Sequence, residues 1–68
     1  MAQLTRYLVY RTDDNGLRIL MRAELEEAEA NGTVERYQKG GHKQGYFALP
    51  YRENELDLVL QREDIRIP

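Results

Sequence analysis

Residues 12 to 32 read TDDNGLRILMRAELEEAEANG, and two structures compete for them. Asn15-Gly16 is the strongest short hairpin signal, because both residues tolerate the positive φ that a tight turn demands. Leu17, Leu20, Met21, Leu25 and Ala28 also fit one face of a helix. Register decides between the two. A two-residue turn at Asn15-Gly16 sets Asp14 opposite Leu17, Asp13 opposite Arg18, Thr12 opposite Ile19, Arg11 opposite Leu20 and Tyr10 opposite Met21. Opposite charges then meet at Asp13 and Arg18, and Tyr10 shares an apolar face with Met21, so the hairpin is preferred. From about Arg22, RAELEEAEANG is dense in strong helix formers and closes on Asn31-Gly32, the usual left-handed stop. The helix is short and its apolar side is thin, Leu25 and Ala28 led in by Met21, so it depends on packing against a sheet.

Upstream, LTRYLVYRT (4 to 12) separates Leu4, Leu8, Tyr10 and Thr12 from Tyr7, Val9 and Arg11 by parity, which is a strand. Downstream, TVERYQ (33 to 38) and QGYFALPY (44 to 51) look like two strands joined by a glycine-rich loop. In the second, Phe47, Leu49 and Tyr51 share one face while Tyr46, Ala48 and Pro50 share the other. Pro50 cannot donate to a ladder, so this strand lies at an edge or ends there. After a turn at Arg52, Glu53 and Asn54, ELDLVLQ (55 to 61) alternates, with Leu56, Leu58 and Leu60 inward and Val59 the exception. The closing REDIRIP offers a polar kink and then Ile65 and Ile67 on one face. The expected order is ββαβββ: an α+β domain, with one short helix on a small antiparallel sheet. The alternatives are βαβββ with a longer helix over residues 15 to 30, or a small SH3-like barrel.

Sixty-eight residues make a single domain, 1 to 68. A chain of that size buries only about 60% of its unfolded surface, so a large enclosed substrate cavity is not expected. Hydrophobic residues make up 41%, with no Trp and one Phe, so several of the five Tyr must serve the core. Such a small core favours stabilisation by a partner or a second copy. The absence of Cys removes disulfides and thiolate chemistry, and one His with scattered carboxylates does not make a structural zinc site. No cofactor is implied. No apolar run approaches the roughly 20 residues that span a bilayer, and MAQLTR lacks a signal peptide's apolar stretch. A soluble, cytoplasmic protein that does not engage a membrane is the expectation.

The net charge of −2 argues against a dedicated nucleic-acid binder, but its distribution is uneven. Residues 36 to 52 hold Arg36, Lys39, Lys43 and Arg52 with no acid, whereas residues 24 to 29 hold Glu24, Glu26, Glu27 and Glu29 with no base. The loop QKGGHKQG reads first as a hairpin connection whose glycines supply positive φ. Read as a site, its consecutive glycines and Lys39, His42 and Lys43 would grip an anion, though the spacing matches neither the P-loop nor the dinucleotide fingerprint. Tyr37, Tyr46, Phe47 and Tyr51 interleave with the same bases, as in surfaces that stack single-stranded nucleic acid. Parity assigns Phe47 and Tyr51 to the core with Leu49 and leaves Tyr37 and Tyr46 as the exposed rings. The glutamates read as the wet side of a short helix; as a site, Glu24 and Glu27 share a face that could capture a basic surface.

The run LEEAEANGTVERYQKGGHKQGYFALP, from Leu25 to Pro50, resembles the core of HicA-type toxin ribonucleases: a helix, a glycine, a strand, a lysine-glycine-small-histidine turn, then a strand ending in proline. The resemblance implies RNA cleavage with His42 at the catalytic position. Gly41 stands where that family has serine, a hairpin precedes the helix, and a strand is expected here in place of the family's C-terminal helix. A lone histidine also needs an acid or an electrostatic stabiliser fixed beside it.

By exclusion, the expected function is a small non-enzymatic binding protein that meets a protein partner, or its own twin, through flat surfaces. In general look the chain resembles small accessory or inhibitor proteins of phages and mobile elements. A nucleic-acid-binding regulator using residues 36 to 52 and a HicA-like ribonuclease are the alternatives. The candidate binding residues are Arg36, Tyr37, Lys39, His42, Lys43, Tyr46 and Arg52, with Glu24 and Glu27; no catalytic or metal-binding residue is assigned.

Overall fold

A computed structural model describes residues 4–40 and 45–68, which places His42 and Lys43 outside the described residues. Six elements follow in order: β1 (Thr5–Thr12), β2 (Arg18–Leu25), α1 (Glu27–Lys39), β3 (Gly45–Arg52), α2 (Leu56–Arg62) and β4 (Ile65–Arg66). The fold is α+β, with a helix packed on a four-stranded sheet of order β3-β1-β2-β4. β1 runs antiparallel to both neighbours, and β4 adds a two-residue parallel pair to β2. β3 and β4 lie at opposite edges, so the sheet stays open rather than closing into an SH3-like barrel.

The hairpin over residues 12 to 18 forms, with one residue more in its loop than a two-residue turn. Gly16, at φ 80°, donates to the Asp13 carbonyl at 3.0 Å, and the Asp13 amide donates to the Leu17 carbonyl at 2.9 Å. The Asp13 carboxylate accepts from the Asn15 and Leu17 amides at 2.8 and 2.9 Å. Those two side-chain bonds fix a three-residue loop with its left-handed residue at Gly16. The register moves by one, pairing Thr12 with Arg18, Arg11 with Ile19 and Tyr10 with Leu20. A first bulge then sets Val9 opposite Arg22, and a second sets Tyr7 opposite Leu25.

Both ends of the expected first helix differ. β2 continues through Leu25, and the helix begins after Glu26, whose amide donates to the Glu29 carboxylate at 3.2 Å. It then runs through Asn31-Gly32, so TVERYQ is helical instead of a strand. Ala30, Thr33, Val34 and Tyr37 recur at helical spacing, and this stripe faces the sheet. A Cβ at Gly32 would meet nothing within 4 Å. Gly32→Ala is therefore expected to raise stability by about 0.5–1 kcal/mol in a urea titration. A loss would instead mark Gly32 as a left-handed stop.

ELDLVLQ is likewise helical. Leu56, Val59 and Leu60 turn inward at spacings of three and four, while Leu58 is 61% exposed; Val59, the exception to the alternation, was the helical signal. Ile65 is buried, but Ile67 is exposed beyond the end of β4.

The sheet has an apolar cluster on each side. Leu8 and Val9 are adjacent on β1 and both fully buried, pointing to opposite faces. On one side Leu8 packs with Tyr51, Val59, Leu60 and Ile65 under α2. On the other, Val9 packs with Leu25 and Ala30 under α1, with Tyr7, Val34 and Ala48 around them.

Candidate contact surface

α1 carries its charges in the order that its own backbone dipole favours, with Glu27 and Glu29 in the first turn and Arg36 and Lys39 in the last. The acidic and basic runs of the sequence are thus largely the two ends of one helix. Glu24 stands apart from Glu27: it sits in β2 at φ 61°, and its amide donates to the Tyr51 hydroxyl at 2.9 Å. The Glu27 carboxylate accepts from the Tyr7 hydroxyl at 2.7 Å, and this bond holds the Tyr7 pKa above its ordinary value.

The expected basic segment is divided as well. Arg36, Tyr37, Lys39 and Tyr46 gather where α1 ends and β3 begins, whereas Arg52 is at the far end of β3, opposite Thr5. Lys39 pairs with Glu35 at 3.4 Å. Tyr37 and Tyr46 stack on each other, with centroids 5.2 Å apart, and Tyr46 is only 4% exposed. The ring expected outside is therefore inside, because α1 extends over the Tyr46 and Ala48 face.

The exposed ring is Phe47, expected in the core but 46% exposed. Parity put it correctly beside Leu49 and Tyr51. The short α2 packs over the Tyr51 end of that face and leaves Phe47 open. Its ring stacks on Tyr10 at 5.3 Å, and the Arg18 guanidinium lies 5.5 Å from the Tyr10 centroid. Arg18 is itself held by the Glu63 carbonyl at 3.0 Å and carboxylate at 3.3 Å. Gly45 completes the seat: a Cβ there would lie 2.9 Å from the Phe47 ring and 3.1 Å from the Thr12 hydroxyl oxygen. The missing side chain lets the ring lie across the start of β3. Gly45-x-Phe47 was the available sequence signal, since the two residues share one face of a strand.

No group of three or more metal-ligating side chains occurs among the described residues, and no helix is long and apolar enough to cross a membrane. No family model matches the chain, and neither a curated protein nor a solved structure matches it. The HicA resemblance needs a strand between Gly32 and the lysine-glycine turn, and that segment is α1.

Proposed function

We propose that the chain is a non-enzymatic binding protein that acts by surface contact with a protein partner, the way a small accessory or inhibitor protein works. The observation that carries this is the Tyr10–Phe47 stack, a half-exposed aromatic platform held in place before any partner arrives. Aromatic rings dominate the energetics of protein interfaces, and a pre-positioned ring loses little entropy on binding. Arg18 beside it is already neutralised by Glu63, which suits an apolar contact better than a polyanion.

Phe47→Ala is expected to weaken the partner complex about 30-fold, the effect of losing a central aromatic anchor. Quantitative comparison of proteins that co-purify with the wild-type and variant chains would find the partner, and calorimetry with that purified partner would give the affinity. Sedimentation of the chain alone would show whether the partner is a second copy. An affinity unchanged in Phe47→Ala, with the circular dichroism also unchanged, would overturn this function.

A further inference from the structure

We infer that the α1 face of the sheet binds the phosphate backbone of a nucleic acid through Arg11, Arg22, Arg36 and Arg66. This surface lies on the side opposite Phe47 and is independent of the protein contact proposed above. Residues paired directly across strands point to one side of a sheet, so the register gives each arginine its side. Val9, in the cluster under α1, pairs with Arg22. Arg11, two residues along β1 and on the same side, pairs with Ile19, and Ile19 pairs with Arg66 of β4. From β3, Tyr46 pairs with Arg11 and is stacked on Tyr37 of α1. The last turn of α1, which carries Arg36, therefore ends over this same row.

Arg22, Arg36 and Arg66 are exposed and Arg11 is half-buried. Among the described residues none of the four forms an ion pair, whereas Arg6, Arg18, Lys39 and Arg62 all do. Of the acids in α1's first turn, Glu27 accepts from the Tyr7 hydroxyl and Glu29 from the Glu26 amide, at the opposite end of the helix from Arg36. The four arginines thus share one side of the sheet with no ion pair among the described residues to offset them, although the whole chain is acidic. Guanidinium forks match phosphate oxygens two at a time. Arg11 and Arg66 stand two strands apart, about 10 Å at roughly 4.8 Å per strand. That span is too wide for one phosphate group and suits successive phosphates of a chain. The half-buried Tyr37 ring beside Arg36 is the kind of neighbour on which a base stacks.

The test is fluorescence anisotropy with a labelled single-stranded oligonucleotide and the full chain, titrated at several salt concentrations. Saturable binding is expected, with log affinity falling against log salt at a slope of about −3 if four phosphates are met. Between 50 and 200 mM salt the affinity would then fall roughly 50-fold. Arg22→Ala with Arg66→Ala removes two exposed side chains without opening the core; binding should weaken at least about tenfold and the slope become shallower by about 1.4. Arg62→Ala, whose side chain pairs with Glu63, should bind as wild type. Absence of binding at 50 mM salt, or an unchanged double variant, would overturn the inference. So would equal affinity for a poly-glutamate peptide with the same salt dependence, which would assign the surface to an acidic polypeptide.

Discussion

Replacing Leu8 by alanine should lower the free energy of unfolding by about 3 kcal/mol, the middle of the range for deleting a fully buried leucine. Leu8 is wholly excluded from solvent on the central strand, with Tyr51, Val59, Leu60 and Ile65 around it. Opposing groups come from three other elements, so the space left by the side chain cannot close without moving α2, β3 or β4. A domain of this length has roughly 3–10 kcal/mol in all, so the variant should lose about a third or more of its stability and unfold at a clearly lower urea concentration. Far-UV circular dichroism against urea is the measurement. Leu58→Ala is its counterpart, with an expected change under about 0.5 kcal/mol because that side chain is 61% exposed. Equal losses at both positions would mean that residues 55 to 61 alternate as a strand and that α2 is misplaced.

Tyr51→Phe should cost about 1–2 kcal/mol, more than a surface hydroxyl would. The Tyr51 ring is buried, and its oxygen accepts the amide of Glu24, a non-glycine residue in the left-handed region at the second bulge of β2. Without the hydroxyl that amide loses its partner inside the sheet, and the bulge loses its tether to β3. The same group has a pH signature. Burial, and then the Glu24 carboxylate, raise the Tyr51 pKa above its ordinary value of 10.0. The folded state thus favours the neutral phenol. Its contribution is fully present below pH 10 and is lost as the pH rises through the higher folded pKa. Stability measured between pH 9 and 12 should fall in wild type and fall less in Tyr51→Phe. Parallel curves for the two proteins would show that Tyr51 is not the group responsible.

Much of the local structure was legible. The hairpin around Asn15-Gly16, the alternation of β1 and the edge position of β3 announced by Pro50 all stand in the structure. The hairpin register slipped by one because it depends on the Asp13 carboxylate capping its own loop, an interaction that counting positions does not reveal. TVERYQ and ELDLVLQ fit either period. Thr33, Val34 and Tyr37 are inward on a helix, and Val34, Arg36 and Gln38 would alternate on a strand, so the segment's own residues do not choose. The choice falls to whichever apolar surface waits for them, here Val9 and Ala48 for α1 and Leu8 and Tyr51 for α2.

The candidate surfaces were less legible still. A charge count along the chain joined Arg36 to Arg52, which β3 holds at its far end, and overlooked Arg11, Arg22 and Arg66. Their meeting depends on the bulge between Leu20 and Arg22 in β2 and a two-residue parallel pair with β4. Likewise, Phe47 is exposed only because α2 stops short of it.

The sequence by itself determined the class of this protein: short period-two segments, one strong turn and a thin apolar supply leave an α+β sheet with a helix upon it. Those features are set by neighbours along the chain, where steric and hydrogen-bonding preferences act directly. Tertiary structure decided which segments became helices, which aromatic ring faces outward and which arginines share a side. Those outcomes turn on the free energy of burying one surface against another, brought together from distant parts of the chain.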